Sequence, residues 1–312
     1  MEAVLNPALI LFLSGIITGI TFKLTLPNSI SKYLGYYLLL ALGLKGGLSL
    51  QENGFINDVI SALSLGILFA LLIPAIAYIY LKNILNTDDA AALSGTYGSV
   101  SAVTFVTAIA YLSTTNQDFD NYMSAVLVVM EFPAIFMALY LVTHNKINKG
   151  TNLQTIKTAF LEIPNIILIS SLFVGYFVNK TVISNIDIFI VTIFDYVLYI
   201  FLFVMGTRVA KRTGELKGKG VNLIAFALLT PLIGSLIALI ASINFDLSVG
   251  NSTLLMVLTA SASYIAVPAV VKDAIPDANP AIYLGLSLGV TFPFNIIFGI
   301  PLYNELAKYF IG

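Results

Sequence analysis

The 312 residues contain no cysteine and one histidine, and charged side chains make up only 10 % of the chain. Without cysteine there is no disulfide framework and no thiolate metal site, and the redox compartment leaves no mark. A lone histidine, His144 at the end of an apolar run, cannot supply the His and carboxylate clusters of a membrane-embedded metal hydrolase. It reads as a solvated loop residue, no serine has a visible base, and the chain is expected not to be an enzyme. Soluble domains carry about 25 % charged residues, far above the level here, and a formal net charge of −1 offers nothing to a nucleic acid. Long polar connections are also scarce. The longest, Thr143 to Thr158 and Ala210 to Lys219, are too short to bury a core of their own.

What the chain does have is apolar sequence, 58 % hydrophobic with a mean hydropathy of +0.95, which makes it an integral membrane protein. A spanning helix needs roughly 20 mainly apolar residues, and ten stretches qualify: 3 to 22, 33 to 50, 59 to 81, 89 to 112, 121 to 142, 159 to 178, 187 to 207, 220 to 243, 252 to 272 and 280 to 304. Met1-Glu2-Ala3 supplies no basic region before the first run, and no small-residue cleavage signal follows it, so no removable signal peptide is expected. Lysine and arginine in short loops set orientation. With the N-terminus outside, the cytoplasmic loops hold Lys23, Lys32, Lys82, Lys146, Lys149, Lys157, Arg208, Lys211, Arg212, Lys217, Lys219 and Lys272, against Lys45, Lys180 and Lys308 outside. Both termini are therefore expected outside the cell's inner (plasma) membrane.

The chain also repeats itself. Phe69-Ala70-Leu71-Leu72-Ile73-Pro74 matches Phe226-Ala227-Leu228-Leu229-Thr230-Pro231, and Phe132-Pro133 matches Phe292-Pro293. Asn6-Pro7 parallels Ile163-Pro164, Gly43 and Lys45 parallel Gly206 and Arg208, and Ala102-Val103 parallels Ala266-Val267, all in one order. Residues 1–143 and 159–312 then form two five-span halves joined by a cytoplasmic linker at 144–158. Five is odd, so the second half enters the membrane upside down. The expected fold is all-α, ten transmembrane helices in two inverted repeats, an architecture that gives alternating access.

Two polar stretches interrupt the apolar pattern. The first, Leu93 to Thr104, holds two glycines and five hydroxyl residues, and Thr259 to Pro268 is its counterpart in the second half. A helix can break in hydrocarbon only where protein or a watery cavity shelters it, and paired breaks in corresponding halves point to a transporter's substrate site. A half-helix starting in mid-membrane aims unpaired amides and about half a positive charge at whatever faces it, so two such starts make an anion site that needs no arginine or lysine. Gly98 and Ser99 would begin one half-helix, with Tyr97 beside them, and Ala262 and Ser263 the other. The opposite ends expose carbonyls, which with Ser101, Thr104, Ser261, Asn295 and above all Glu131 suit a hard cation such as Na+. Glu131 lies in mid-span, where a carboxylate costs about 2.5 to 3.5 kcal/mol. The alternative for it is a structural acid, and Asp195, read as a second deep acid, is open between interhelical bonding and ion coupling. Pro74, Pro133, Pro231 and Pro293 read as kinks, and Lys45 and Arg208 as snorkelling interface residues.

Four stretches together carry a resemblance: Tyr97 to Phe105, Glu131-Phe132-Pro133-Ala134-Ile135, Ser261 to Ala269, and Thr291 to Ile297 followed by Gly299-Ile300-Pro301-Leu302-Tyr303. In this order, across essentially the whole chain, they resemble the sodium-dependent bicarbonate transporter family first recognised in cyanobacteria (SbtA-type). The resemblance implies a core domain with crossed broken helices and a gate domain that forms a homotrimer. It implies bicarbonate at Gly98, Ser99, Ala262 and Ser263, sodium at Ser101, Thr104, Glu131, Ser261 and Asn295, and an elevator-like sodium:bicarbonate symport inward. It also implies a PII-like regulatory protein on the cytoplasmic face, although the linker here is shorter than in cyanobacterial members. The competing reading from the residues is a sodium:proton antiporter or a sodium-coupled carrier of another small anion, since inverted repeats with broken helices serve all of these.

Overall fold

A break in a buried helix must be held by groups from elsewhere in the chain, and the arrangement of helices follows from that need. The computed structural model of the protein describes residues 7–145, 163–178, 192–212, 220–264, 267, 268, 271 and 275–312. Among these every regular element is helical, with no strand. In chain order the helices are α1 (Pro7–Thr21), α2 (Asn28–Asn53), α3 (Asn57–Leu81), α4 (Thr87–Gly98), α5 (Ala102–Thr114) and α6 (Met123–Asn145). They continue as α7 (Ile163–Phe177), α8 (Ile193–Arg212), α9 (Val221–Asn244), α10 (Val249–Ala260) and α11, the continuous run Pro280–Ile311.

Six candidate membrane spans are long and apolar enough to cross a bilayer: α2, α3, the α4–α5 pair, α8, α9 and α11. The shorter apolar helices are α1, α7 and α10. Where the expected spans can be compared, boundaries move by a few residues. The second begins earlier, at Asn28, and the last runs on to Ile311. The linker from 146 onward lies outside the described residues, as do parts of the first, sixth, seventh and ninth expected spans and Lys146, Lys149, Lys157, Lys180, Lys217, Lys219 and Lys272.

The broken helices are the innermost elements. From Ala90 to Gly98, and again from Gly250 to Ser263, every residue is buried. Their polar side chains are thus kept from lipid, as a helix interruption requires. Side-chain caps set their starts. Asn86 accepts from the Asp89 N–H, and Ser248 accepts from the Asn251 N–H. Both helices are 12 residues long, and cap, third residue and terminal serine recur 162 positions apart: 86 and 248, 89 and 251, 99 and 261.

Each start is also tied to the opposite end of the chain. Asp89 accepts the backbone N–H of Asn279, the cap of α11, at 2.6 Å. Asn251 accepts the backbone N–H of Asp120 and donates to Asp120 and Tyr122, just ahead of α6.

Four other helices pair crosswise, α1 against α8 and α2 against α7. Glycines let them meet backbone to backbone. A Cβ placed on Gly15 would run into the Phe203 carbonyl and one on Gly206 into that of Phe12; Gly47 faces the Leu172 carbonyl and Gly175 that of Leu44. Rigid backbone cannot yield as a side-chain tip does. Gly206→Ala is therefore expected to lower stability by about 1 to 3 kcal/mol, the usual range for overpacking, measured by denaturant unfolding in micelles. Gly220→Ala, with open space around its Cβ position, serves as the control.

Candidate functional site

The first interruption is the three residues Ser99, Val100 and Ser101, extended between α4 and α5. Gly98 therefore closes α4 rather than opening a half-helix, which corrects the expectation for Gly98 and Ser99. The physical reason is the cap. Ser101 accepts from the Thr104 N–H at 3.2 Å and from its hydroxyl at 2.9 Å, so helix resumes at Ala102. Gly98 has no room for a side chain because the Pro74 ring of α3 packs on it. In the second interruption Ser261, Ala262 and Ser263 are likewise non-helical. The Ser263 hydroxyl accepts from the N–H of Val267, where helix has resumed.

The two breaks touch and hold each other. The Ser263 N–H donates to the Thr96 carbonyl at 2.9 Å, and the Ser101 N–H donates to the Ser261 hydroxyl at 2.9 Å. Ser261 in turn donates to the Leu258 carbonyl. Each break thus supplies partners for backbone groups that helix geometry leaves open in the other.

Glu131 of α6 reaches the first break from the side. Its carboxylate accepts from the Ser99 hydroxyl at 2.9 Å and from the Val100 backbone amide, and the residue is buried. Asn295 reaches the second break from α11. Two π-helical turns, Ser287–Thr291 and Asn295–Gly299, flank Phe292-Pro293-Phe294. They deliver the Asn295 amide to the Ala260 carbonyl at the end of α10, 2.8 Å away, while its oxygen accepts from Tyr303. Such π-turns are frequent where a helix is adapted to a functional contact. Tyr97 faces elsewhere, with its hydroxyl 2.5 Å from that of Thr291, which donates to the Ala227 carbonyl.

Between the breaks and the paired helices α2 and α7 lies a cavity of about 40 Å³. Its core-side wall is Val100 to Val103, Glu131, Ser263 and Tyr264, and its far wall includes Leu39 of α2 and Pro164 and Asn165 of α7. One water needs roughly 10 to 15 Å³ on this measure, so the space suits a solute of a few heavy atoms. Ala102 and Val103 are the first residues of α5, so their N–H groups are among those left without an intrahelical partner, at the positive end of the dipole. The Tyr264 hydroxyl is buried and turned toward Ser101.

Of the expected residues, the structure gathers Ser101, Glu131 and Ser263 on the cavity wall. Ser99 and Thr104 stand directly behind them, bonded to Glu131 and Ser101. Ala262 is buried against the apolar cluster around α4, and Gly98, Tyr97, Ser261 and Asn295 brace the breaks from behind. Asp195 is not deep. It lies exposed in the first turn of α8, beside Phe194, whose ring lies under the Lys45 ammonium at 4.5 Å. Arg208 bonds Asn28 at the start of α2.

Tyr264 and Asn165 were not anticipated. A buried amide in an otherwise apolar helix was the available signal for Asn165; Tyr264 stood inside the recognised stretch but was passed over for the small hydroxyl residues. Among the described residues no three His, Cys, Asp or Glu side chains cluster, so any cation here meets mainly neutral oxygens and one carboxylate.

A multi-pass membrane protein whose two interrupted helices meet at a small cavity lined by a few polar groups has the construction of a secondary transporter. The chain belongs to the Na+-dependent bicarbonate transporter superfamily, whose model matches residues 7–308. Sodium and bicarbonate are the transported species that this membership indicates. No curated protein matches the chain.

Proposed function

We propose that the protein is a sodium:bicarbonate symporter that imports bicarbonate by elevator-type alternating access. The observation that carries this reading is the cavity, where the start of α5, the Ser263 hydroxyl and the buried Tyr264 hydroxyl converge as donors beside the Glu131 carboxylate. The donors match a small oxyanion, and the carboxylate beside it repels an anion unless a cation sits between. Sodium and bicarbonate then stabilise each other's binding, which is the coupling a symporter needs. In this proposal Ser263, Tyr264 and the α5 amides hold bicarbonate, while Glu131 and Ser101 hold sodium. Ser99 and Thr104 orient those two, Ser261 and Asn295 fix the carbonyl ends, and Gly98, Ala262 and Tyr97 set the spacing.

An inverted repeat is supported by the 162-residue recurrence of caps and breaks and by the crosswise pairing of α1 with α8 and α2 with α7. The cavity lies between α2 and α7 on one side and the helices bound to the breaks on the other, which favours a core that slides along a gate. The homotrimer, the PII-like regulator on the cytoplasmic face, and an inner-membrane location with both termini outside come with the family likeness and the loop charges, and they complete the proposal.

Uptake of labelled bicarbonate into proteoliposomes tests it. Uptake is expected with an inward sodium gradient and not with choline in its place. Equal uptake in choline refutes symport, and sodium-driven proton flux without bicarbonate selects the antiporter. Ser263→Ala is expected to raise the bicarbonate KM about ten- to hundredfold, the loss of one hydrogen bond to a charged ligand, with little change in the sodium KM.

A further inference from the structure

On the lipid side of the broken helices, α3 and α9 enclose a second, larger cavity of about 250 Å³. Ile76 and Tyr80 on one wall and Leu229 and Ile233 on the other are 46 %, 46 %, 53 % and 52 % exposed, so the cleft opens sideways. Both walls are membrane-spanning helices, and that opening faces hydrocarbon. Water is a poor occupant because it needs two to four polar partners, and the lining is almost wholly apolar. An apolar cavity of about 150 Å³ admits benzene, so this one takes a length of aliphatic chain.

One end of the cleft is closed by Tyr80 stacked on Phe226, centroids 6.0 Å apart. Beyond that stack the same two helix faces turn polar: Asn83 lies three residues after Tyr80 and Asn222 four before Phe226, both exposed, with exposed Lys82 adjoining Asn83. The start of α9 adds its positive dipole end there, and the Lys82 ammonium offsets the negative end of α3. An apolar slot ending in an ammonium and two amides is complementary to one kind of molecule. We propose that the cleft binds a membrane phospholipid, with one acyl chain between α3 and α9 and the headgroup phosphate at Lys82, Asn83 and Asn222. The chain lies behind the crossing, where the Pro74 ring of α3 packs on Gly98 and Gly234 of α9 packs on the Thr259 carbonyl, so it wedges the two helices that buttress the breaks.

Native mass spectrometry of the full-length protein, released from a mild detergent, tests this independently of transport. The wild type is expected to retain one phospholipid per chain. Leu229→Trp and Ile76→Phe, which fill the slot from opposite walls, are expected to lower retention about tenfold or more. Ile240→Trp, on an exposed position of α9 outside the cleft, keeps it. Lys82→Gln lowers it about fivefold through the lost charge. The proposal is overturned by a wild type without phospholipid or carrying a free fatty acid, by retention unchanged in both filling variants, or by equal loss in Ile240→Trp. It is also overturned if those variants instead change the number of chains per particle, and unchanged retention in Lys82→Gln refutes the headgroup assignment.

Discussion

Glu131→Gln is expected to raise the sodium KM about ten- to hundredfold, because the cation loses a full opposite charge, worth about 4 kcal/mol at ~4 Å and an effective dielectric of about 20, of which the amide oxygen recovers a part. Glutamine keeps the volume and one acceptor for Ser99 or Val100, so the break stays shaped and the change falls on charge. Glu131→Ala removes both bonds seen at the carboxylate and enlarges the cavity it lines; sodium-dependent uptake is expected to vanish. Initial rates of uptake against sodium concentration, with the protein's melting checked in parallel, separate the two effects. A glutamine variant with wild-type sodium dependence would make Glu131 a structural acid that merely anchors Ser99. Asp195→Asn is expected to leave the curve unchanged, since that side chain is exposed at the start of α8. Of the two acids read as deep from the sequence, carboxylate coupling then falls to Glu131, which lines the cavity, under the symport and antiport readings alike.

The sequence located both breaks but not their direction. Hydroxyl-rich runs in apolar surroundings are visible because polar groups in hydrocarbon demand shelter, and the interruptions fall within the stretches so marked. Gly98 misled because glycine at a break is compatible with either end of a helix, whereas its actual constraint is the Pro74 ring from another element. Serine's preference for the cap position was the better guide, and Ser101, followed three residues later by Thr104, carried it. The caps Asn86 and Ser248, each three residues before a buried polar residue, were readable in the same way and mark the repeat more sharply than the apolar hexamers did. Asn165 and Tyr264 reach the cavity from the far wall and from the end of the second break, a meeting that depends on helix packing and leaves no local pattern.

The ties between the halves were beyond sequence reading altogether, and one of them carries the largest stability prediction. Asn251 is 2 % exposed, and its amide donates to Asp120 Oδ2 at 2.8 Å and Tyr122 Oη at 2.9 Å while its oxygen accepts the Asp120 N–H. Asn251→Ala is expected to cost about 1 to 3 kcal/mol, since the buried Tyr122 hydroxyl loses its bond with nothing to replace it, while the exposed Asp120 turns to water. Asn251→Asp keeps the shape but sets an acceptor against the Asp120 carboxylate, and an uncompensated buried charge of this kind costs about 3 to 5 kcal/mol. The isosteric change is thus expected to be worse than the truncation. Adding Asp120→Asn restores a donor opposite the new carboxylate, so the double variant should recover most of the loss, a coupling of roughly 2 to 3 kcal/mol in a double-mutant cycle. In the first half an acid already sits at this position of the broken helix, as Asp89, where it accepts the backbone N–H of Asn279. Denaturant unfolding of the four proteins in the same micelles reads the cycle, and additive losses would mean that Asn251 and Asp120 act through separate contacts rather than as one tie.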